Sequence, residues 1–303
     1  MKRSTILKRN LSMHRCEPYE GATVSDAIYS HSLHILGFEF DGTACFRKGT
    51  VNGPNACRAV SDGIETYSPY LDLDTEDLPS FYDLGNLPAR DASGEQNWQL
   101  ATDHYLSLFD LNFKDSGVRT LLIGGEHSVS YAPIRRYLEC FPDLVLLQLD
   151  AHADLRDGYL GYHHSHASII RRALDHFSDG HQLIQYGIRS GTKEEYRWMR
   201  SNNTICTSRK DFLTRVADIP NDRPIYLTLD LDYFDPCYLP GTGTPEPGGE
   251  DFHSFISLMK LLKEKNFVGA DVVELSPDID PTGNSDVFAT KVLREIILLL
   301  GAA

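Results

Sequence analysis

The sequence has no apolar run near the length of about 20 residues that a transmembrane helix needs. It also has no surplus of basic residues, since its formal net charge is −14. Nucleic acids and anionic membranes both bind through basic residues. We therefore expect neither nucleic acid nor a membrane as a partner, and we expect the negative charge to favour the approach of a cationic small molecule.

Cysteine motifs are missing too. The six cysteines, at positions 16, 45, 57, 140, 206 and 237, form no CxxC pair, and the sequence predicts no secretory signal peptide. We therefore expect free thiols in a cytoplasmic protein. The first fifteen residues include five basic residues and no acidic residue, a bias that mitochondrial presequences share. We interpret them as a basic tail and keep a presequence as the alternative.

Repeats, low-complexity tracts and Gly/Ser linkers are also absent, and what recurs is an apolar run followed by a helical pattern. The runs predict buried strands at 33–38, 119–123, 144–149, 183–186, 225–229 and 270–273. Helices are predicted near 96–110, 129–139, 166–176, 193–201, 252–265 and 285–300. Alternating strands and helices indicate an α/β fold with three layers, α/β/α, around a mostly parallel sheet. We expect an N-terminal extension at 1–30, whose order the sequence leaves open, and a single domain at 31–303.

Polar side chains follow four of the predicted strands at the point where each strand ends. Ligands of open parallel sheets bind outside the carboxyl ends of the strands, so these side chains are expected to meet at one edge. In chain order the segments are Gly124-Gly125-Glu126-His127, Asp150-Ala-His152-Ala-Asp154, Asp230-Leu-Asp232 and Glu274.

These residue types indicate a metal site. One Asp-x-His-x-Asp segment alone is weak support, because an Asp after a strand often caps a helix. Asp232 adds to the case, because an acid in an otherwise apolar run is costly to bury without a counter-charge. Four carboxylates and two imidazoles without a thiolate suit Mn²⁺ better than zinc with cysteine. Six candidate ligands exceed the needs of one ion, so we expect two ions about 3.5–4 Å apart that share carboxylates.

Three segments resemble the metal motifs of the ureohydrolase family, which includes arginase and agmatinase. They are Gly124-Gly-Glu-His-Ser128, Asp150-Ala-His-Ala-Asp154 and Leu229-Asp-Leu-Asp-Tyr-Phe-Asp-Pro236. Residues 46–49, 240–249 and 271–277 also look like this family, and the resemblance extends from residue 33 to the C-terminal helix. Glu126 departs from the Asp that is commoner in the family, at a position that holds no metal.

The resemblance implies an arginase-like fold and a catalytic domain with two Mn²⁺ ions per subunit, with Ni²⁺ as the alternative metal. Asp150 and Asp230 would bridge the two ions. The ligands of the first ion would be His127, Asp150, Asp154 and Asp230, and those of the second would be Asp150, His152, Asp230 and Asp232.

The resemblance also implies the reaction, in which a hydroxide that bridges the ions attacks the carbon of a guanidinium group. Glu274 would bind the guanidinium through paired hydrogen bonds. Asp154 would pass a proton to the leaving amine. His166 would bind substrate and shuttle protons, although His163 and His164 are close enough to leave the alignment ambiguous.

The loop at 155–164 is similar to agmatinase loops and lacks the Asn/Ser-rich pattern of arginases. The expected reaction is therefore hydrolysis of agmatine to putrescine and urea, a step of polyamine biosynthesis, with Tyr159 in the substrate channel. Arg156 complicates this, because an inward guanidinium would meet a carboxylate. The alternatives are guanidinobutyrate, guanidinopropionate, arginine, formiminoglutamate or guanidine as substrate, or a metal-binding relative without activity.

The family also implies a homotrimer or homohexamer. The apolar stripe at 292–300 has more Leu and Ile than one helix face needs, and we expect it to meet another subunit rather than only the sheet.

Overall fold

The computed structural model describes residues 4–79, 81–88, 94–110 and 112–302, so Lys2 and Arg3 of the basic segment and Ala303 lie outside the described residues. The strands are β1 (Ile6–Arg9), β2 (Thr23–Val24), β3 (Ala27–Tyr29), β4 (Leu33–Phe38), β5 (Tyr67–Ser68), β6 (Leu73–Asp74), β7 (Tyr82–Asn86), β8 (Arg119–Gly124), β9 (Val145–Leu149), β10 (Gln182–Tyr186), β11 (Pro224–Asp230) and β12 (Asn266–Val273). The α-helices are α1 (Gly53–Ala59), α2 (Glu95–Leu108), α3 (Tyr131–Cys140), α4 (Ile169–Leu174), α5 (Lys193–Ser201), α6 (Arg209–Ala217), α7 (Phe252–Leu262) and α8 (Asn284–Ala302).

Eight strands form one sheet in the order β10-β9-β11-β12-β8-β4-β7-β2, and each neighbouring pair is parallel. Alternate residues of a strand face two separate cores. Leu121 and Ile123 pack on the side of α6, α7 and α8, whereas Leu122 packs on the side of α2, α3 and α4. The predicted fold of three layers around a mostly parallel sheet is therefore confirmed.

All six predicted strands are present, because strands covered on both faces are continuously apolar and easily recognised. The prediction omitted β7 and β2 at the edge of the sheet and the short helices α1 and α6. The predicted helix at 166–176 begins with a 3₁₀ turn at 166–168 and continues as α4.

The N-terminal segment contacts the rest of the chain. β1 pairs antiparallel with β3, and β2 pairs with β7 at the edge of the main sheet. Leu11 and Ile28 are buried in one of the two cores. The division into an extension at 1–30 and a catalytic domain at 31–303 stays a prediction.

Helix α8 buries the apolar stripe at 292–300 within this chain. Leu298 and Leu300, near the end of the apolar stripe, are at most 1% exposed and belong to the core beside the sheet. The stripe therefore gives no support for a contact with another subunit. None of the helices in the described part of the chain has both the length and the apolar character needed to cross a membrane.

The order of the strands determines where the functional residues meet. The four polar segments follow four strands that lie side by side in the middle of the sheet, in the order β9, β11, β12 and β8. The segments therefore meet at the same edge. β4 lies next to β8, and Glu126 N donates a hydrogen bond of 2.8 Å to Phe40 O beyond the end of β4. A Cβ at Gly125 would lie 2.0 Å from Phe40 O, so only glycine permits this close approach.

Candidate functional site

Two groups of side chains at this edge are each placed to hold a metal ion. In the first group, Nδ1 of His127 lies 3.1 Å from Oδ2 of Asp150 and 3.0 Å from Oδ2 of Asp154. In the second, Nδ1 of His152 lies 2.9 Å from Oδ2 of Asp232 and 3.7 Å from Oδ1 of Asp150. Asp150 thus belongs to both groups and directs one oxygen towards each.

Asp230 lies beside the first group, with Oδ2 3.4 Å from Nδ1 of His127. Its other oxygen, Oδ1, accepts a hydrogen bond of 2.9 Å from Asp232 N. The structure therefore brings together all six residues that the sequence predicted as ligands, namely His127, Asp150, His152, Asp154, Asp230 and Asp232.

The electrostatics of this cluster suit a divalent cation. Its five acids, which are the four aspartates and Glu274, are at most 7% exposed, and no lysine or arginine of the described residues pairs with them. Burial, and then the charges of Asp232 and Asp150, raise the pKa of Asp230 well above its usual value. Nδ1 of His127 is buried and makes no hydrogen bond within the described chain. Unpaired buried carboxylates around an imidazole nitrogen fit the binuclear metal site that the sequence predicted.

The far side of His127 is fixed by a buried hydrogen-bond chain that the sequence reasoning missed. Nε2 of His127 lies 2.9 Å from Oγ1 of Thr228, which donates a hydrogen bond of 2.7 Å to Oδ1 of Asp271. Ser130 and Tyr226 also donate to Asp271, at 2.7 and 2.8 Å. Such outer partners orient a ligating imidazole. An acid within the apolar run of β12 was the signal that could have revealed this chain.

Two carboxylates of the site have unusual backbone conformations. Asp154 has a φ of 53° and Glu274 a φ of 69°, in the left-handed region that residues other than glycine rarely adopt. Glu274 is held there by its backbone N–H, which donates to Gly125 O at 2.8 Å, and by its Oε1, which accepts from His127 N at 2.7 Å. Strain of this kind often occurs at functional sites, where the surrounding structure enforces it.

The cluster opens into a cavity of about 280 Å³. Its wall includes all the predicted catalytic and substrate-binding residues, namely Asp154, Tyr159, His166 and Glu274, together with Arg156. The guanidinium of Arg156 lies 4.5 Å from the centre of the Tyr159 ring. Glu195 and Thr192 line the cavity too. Oε1 of Glu195 accepts a hydrogen bond of 3.0 Å from Leu155 N, which anchors the start of the loop at 155–164.

The three neighbouring histidines have different surroundings. His164 stacks on Trp98 with 4.7 Å between ring centres, and His163 lies 2.7 Å from a guanidinium nitrogen of Arg172. His166 lies in the cavity wall. Burial, and then the neighbouring His152 and His127, lower the pKa of His166 to about 4, so this imidazole is neutral near pH 7. Position therefore favours His166 for the predicted role.

The Pro/Gly-rich segment at 242–249, called here the lip, contributes Thr244 to the cavity wall and is held by two arginines. Arg47 donates from Nη2 to Thr242 O at 2.6 Å. Arg189 donates from Nη2 to Glu246 O at 2.8 Å and to Asp232 O at 2.6 Å, which links the lip to a predicted metal ligand. No sequence pattern indicated this role for Arg189.

Comparison with known proteins agrees with the geometry. The family model of the arginase family matches residues 31–299. Agmatinase from Bacillus subtilis is 34% identical over 272 residues, which cover 87% of this chain and 90% of that protein. The solved structure of proclavaminate amidino hydrolase from Streptomyces clavuligerus matches with a TM-score of 0.80 and 25% identity, over 96% of this chain and 98% of that chain. For the agmatine ureohydrolase of Thermoplasma volcanium the TM-score is 0.75 with 26% identity, over 95% of each chain.

The match spans most of the chain, and it includes every segment that supplies the cluster and the cavity. The family implies a binuclear metal site, and the buried acids and imidazoles at the sheet edge suit one. The chain therefore belongs to the arginase family, and it is an agmatinase-like amidinohydrolase.

Proposed function

We propose that this protein hydrolyses agmatine to putrescine and urea with two Mn²⁺ ions per subunit. The observation that carries the proposal is the cluster of buried acids without a lysine or arginine partner, which opens into a cavity lined by Glu274 and His166. The name agmatinase for relatives that are 34% identical supports the choice of substrate. The oxygen-rich ligand set supports Mn²⁺, and Ni²⁺ is the alternative.

Asp150 and Asp230 would bridge the two ions, because Asp150 contributes to both groups of ligands and Asp230 lies beside them. When bound, such a metal pair supplies an activated water near neutral pH. The chain's own contribution is to hold the substrate and to move protons.

Glu274 is proposed to orient the guanidinium. Its Oε1 already accepts from His127 N, whereas Oε2 has no donor among the described residues. A buried carboxylate oxygen of this kind forms a strong hydrogen bond with a guanidinium N–H. The left-handed backbone at Glu274 fixes the direction of the side chain before substrate arrives.

Asp154 and His166 are proposed to move protons. Asp154 lies between the metal cluster and the cavity, where a carboxylate takes a proton and returns it to the leaving amine. His166 is neutral and lines the same cavity, so it would transfer protons between the site and solvent.

Guanidinobutyrate is the second candidate substrate, because of Arg156. This guanidinium lies in the cavity wall against Tyr159 and has no acid partner among the described residues. A substrate with a carboxylate tail would supply that partner. Guanidinobutyrase from Pseudomonas aeruginosa is 26% identical to this chain over 277 residues.

A urea-release assay across guanidino compounds tests the proposal. The purified chain is loaded with Mn²⁺ or Ni²⁺ and given agmatine, guanidinobutyrate, guanidinopropionate, arginine or guanidine at equal concentration. We expect the highest kcat/KM with agmatine and Mn²⁺. Urea from arginine but not from agmatine would refute the substrate, and metal-loaded protein inert towards every compound would favour a non-catalytic relative.

The control for this assay is Glu274→Gln, which keeps the side-chain shape and removes the charge. We expect normal metal content and a loss of kcat/KM of at least about 100-fold, which is typical for a lost charge-assisted contact to the reacting group. We also propose that the protein is a homotrimer or homohexamer and that it lies in the cytoplasm. Light scattering of the purified protein measures the number of subunits.

A further inference from the structure

Glu126 is a fully buried acid beside the metal cluster that none of the steps above uses. It is 0% exposed, and no lysine or arginine of the described residues pairs with it. Its carboxylate accepts hydrogen bonds from Thr43 N at 2.8 Å, from Ser128 Oγ at 2.7 Å and from the hydroxyl of Thr43. Burial of an acid without a cationic partner is costly, so a role for Glu126 is expected. The contacts of Thr43 point to that role.

Thr43 connects Glu126 to His166. Oγ1 of Thr43 lies 3.1 Å from the backbone N of His166 and 3.2 Å from its ring atom Nδ1. A hydroxyl has one hydrogen to donate and two lone pairs that accept. Since the hydrogen of Thr43 is donated to Glu126, both contacts with His166 must be hydrogen bonds that Thr43 accepts.

This count determines the tautomer of His166. Nδ1 must carry the ring hydrogen, because only N–H can donate to an oxygen that has no hydrogen left. Nε2 of the neutral ring is then the bare nitrogen. It has no hydrogen-bond partner within residues 4–79, 81–88, 94–110 and 112–302, and His166 lines the cavity.

We propose that Glu126 and Thr43 are positioning residues that hold His166 with its proton on Nδ1, so that Nε2 accepts protons from the cavity. The role of His166 rests on the proposed function. When Nε2 takes a proton, the ring becomes an imidazolium with both nitrogens protonated. The hydrogen bond from Nδ1 to Thr43, whose own hydroxyl donates to Glu126, stabilises that cation. Release of the same proton from Nε2 restores the starting state.

The first test is a double-mutant cycle between Thr43 and His166. Thr43→Val removes the hydroxyl and keeps the backbone N–H that donates to Glu126, so the loop remains anchored. We expect kcat to fall about 10- to 100-fold with KM within about 3-fold, the usual effect of losing an outer partner. Metal content should stay at the wild-type value, and Thr43→Ser should restore most of kcat.

In the His166→Ala background, Thr43→Val should cause no further loss of kcat, because the hydroxyl would act only through His166. An equal loss in both backgrounds would show a merely structural role and overturn the proposal. Thr50→Val is the matched control. Thr50 is buried seven residues further along the chain, and its Oγ1 has no hydrogen-bond partner among the described residues. Its replacement should leave kcat unchanged.

The second test measures the tautomer directly and does not depend on activity. Solid-state ¹⁵N NMR of the histidine-labelled full chain, loaded with diamagnetic Zn²⁺, gives the signals of His166, which are assigned by their loss in His166→Ala. A protonated Nδ1 and a bare Nε2 in the wild type, with a shift towards protonated Nε2 in Thr43→Val, would confirm the proposal. A protonated Nε2 in the wild type would refute it. Absence of urea release by the wild type would instead refute the proposed function.

Discussion

The molecule buries acids in two ways, and the difference between Asp83 and the metal cluster is instructive. Asp83, in β7 next to the edge strand β2, is 1% exposed and accepts hydrogen bonds from Nε and Nη2 of Arg58 at 2.8 and 3.0 Å. Tyr19 N and Gly85 N donate to it as well, each at 2.9 Å. The acids of the metal cluster are equally buried, and no lysine or arginine of the described residues pairs with them.

An acid whose charge is balanced by its own chain belongs to the fold, because both partners fold together and stay together. A group of buried acids without such a partner raises the free energy of the folded chain until a cation from outside binds. The position of unbalanced charge, more than burial alone, therefore identifies the functional edge of this sheet.

The largest effect is expected for Asp230→Asn, which removes a proposed bridging charge. Urea release should fall below detection, and the metal content should fall well below two ions per subunit. In metal-free protein the same change should raise the free energy of unfolding by roughly 1–2 kcal/mol, because burial and the charges of Asp232 and Asp150 disfavour the ionised form of Asp230 in the folded chain. Urea denaturation with and without a chelator measures both states. An active variant that keeps its metal would disprove the bridging role.

Asp83→Asn should behave in the opposite way. Removal of one partner leaves Arg58 buried without its counter-charge, so we expect a loss of about 3–5 kcal/mol in the free energy of unfolding with and without metal. Metal content per folded subunit should not change. Glu194→Gln is the control, since its ion pair with Arg197 is exposed and should contribute less than about 0.5 kcal/mol. A loss of metal in Asp83→Asn would contradict the separation between the two regions.

A smaller effect is expected on the pH dependence of stability. It comes from His34, which is buried as a neutral base. Burial lowers the pKa of His34 to about 3. Between that value and the usual pKa near 6.5, the unfolded chain binds a proton that the folded chain does not. The contribution of neutral His34 to the free energy of unfolding is therefore complete above pH 6.5. Below pH 6.5 the free energy of unfolding falls by about 1.4 kcal/mol for each unit of pH.

In metal-free protein we expect the wild type to lose about 2 kcal/mol more than His34→Gln between pH 6.5 and pH 5. His253→Gln, at an exposed position, should follow the wild type. Parallel stability curves for the wild type and His34→Gln would show that another group controls the acid response.

The sequence predicted the parts of this molecule whose causes are local. Continuous apolar runs revealed the six central strands, and the ligands follow those strands directly, so motif and position agree. β7 was missed because Asp83, Gly85 and Asn86 make it look like a loop. Its polar side chains are buried only because Arg58 of α1 reaches them, and no periodicity shows that contact.

The same limit applies within the site. Thr43 and Glu126 are 83 residues apart, and their contact follows from the adjacency of β4 and β8 in the sheet. His166 is 123 residues from Thr43 and meets it only in the folded chain. Glu126 was visible in the sequence as a departure from the family's commoner Asp. Its importance is evident only from the fully buried carboxylate that holds Thr43.

The left-handed backbone at Asp154 and Glu274 has a consequence for protein engineering. A designer who copies only the ligand side chains onto another parallel sheet would place these two residues in ordinary extended backbone, and their carboxylates would point elsewhere. A transplanted site needs the Gly125 carbonyl and the neighbouring strands that enforce the conformation. The portable unit is therefore the four-strand edge with its turns.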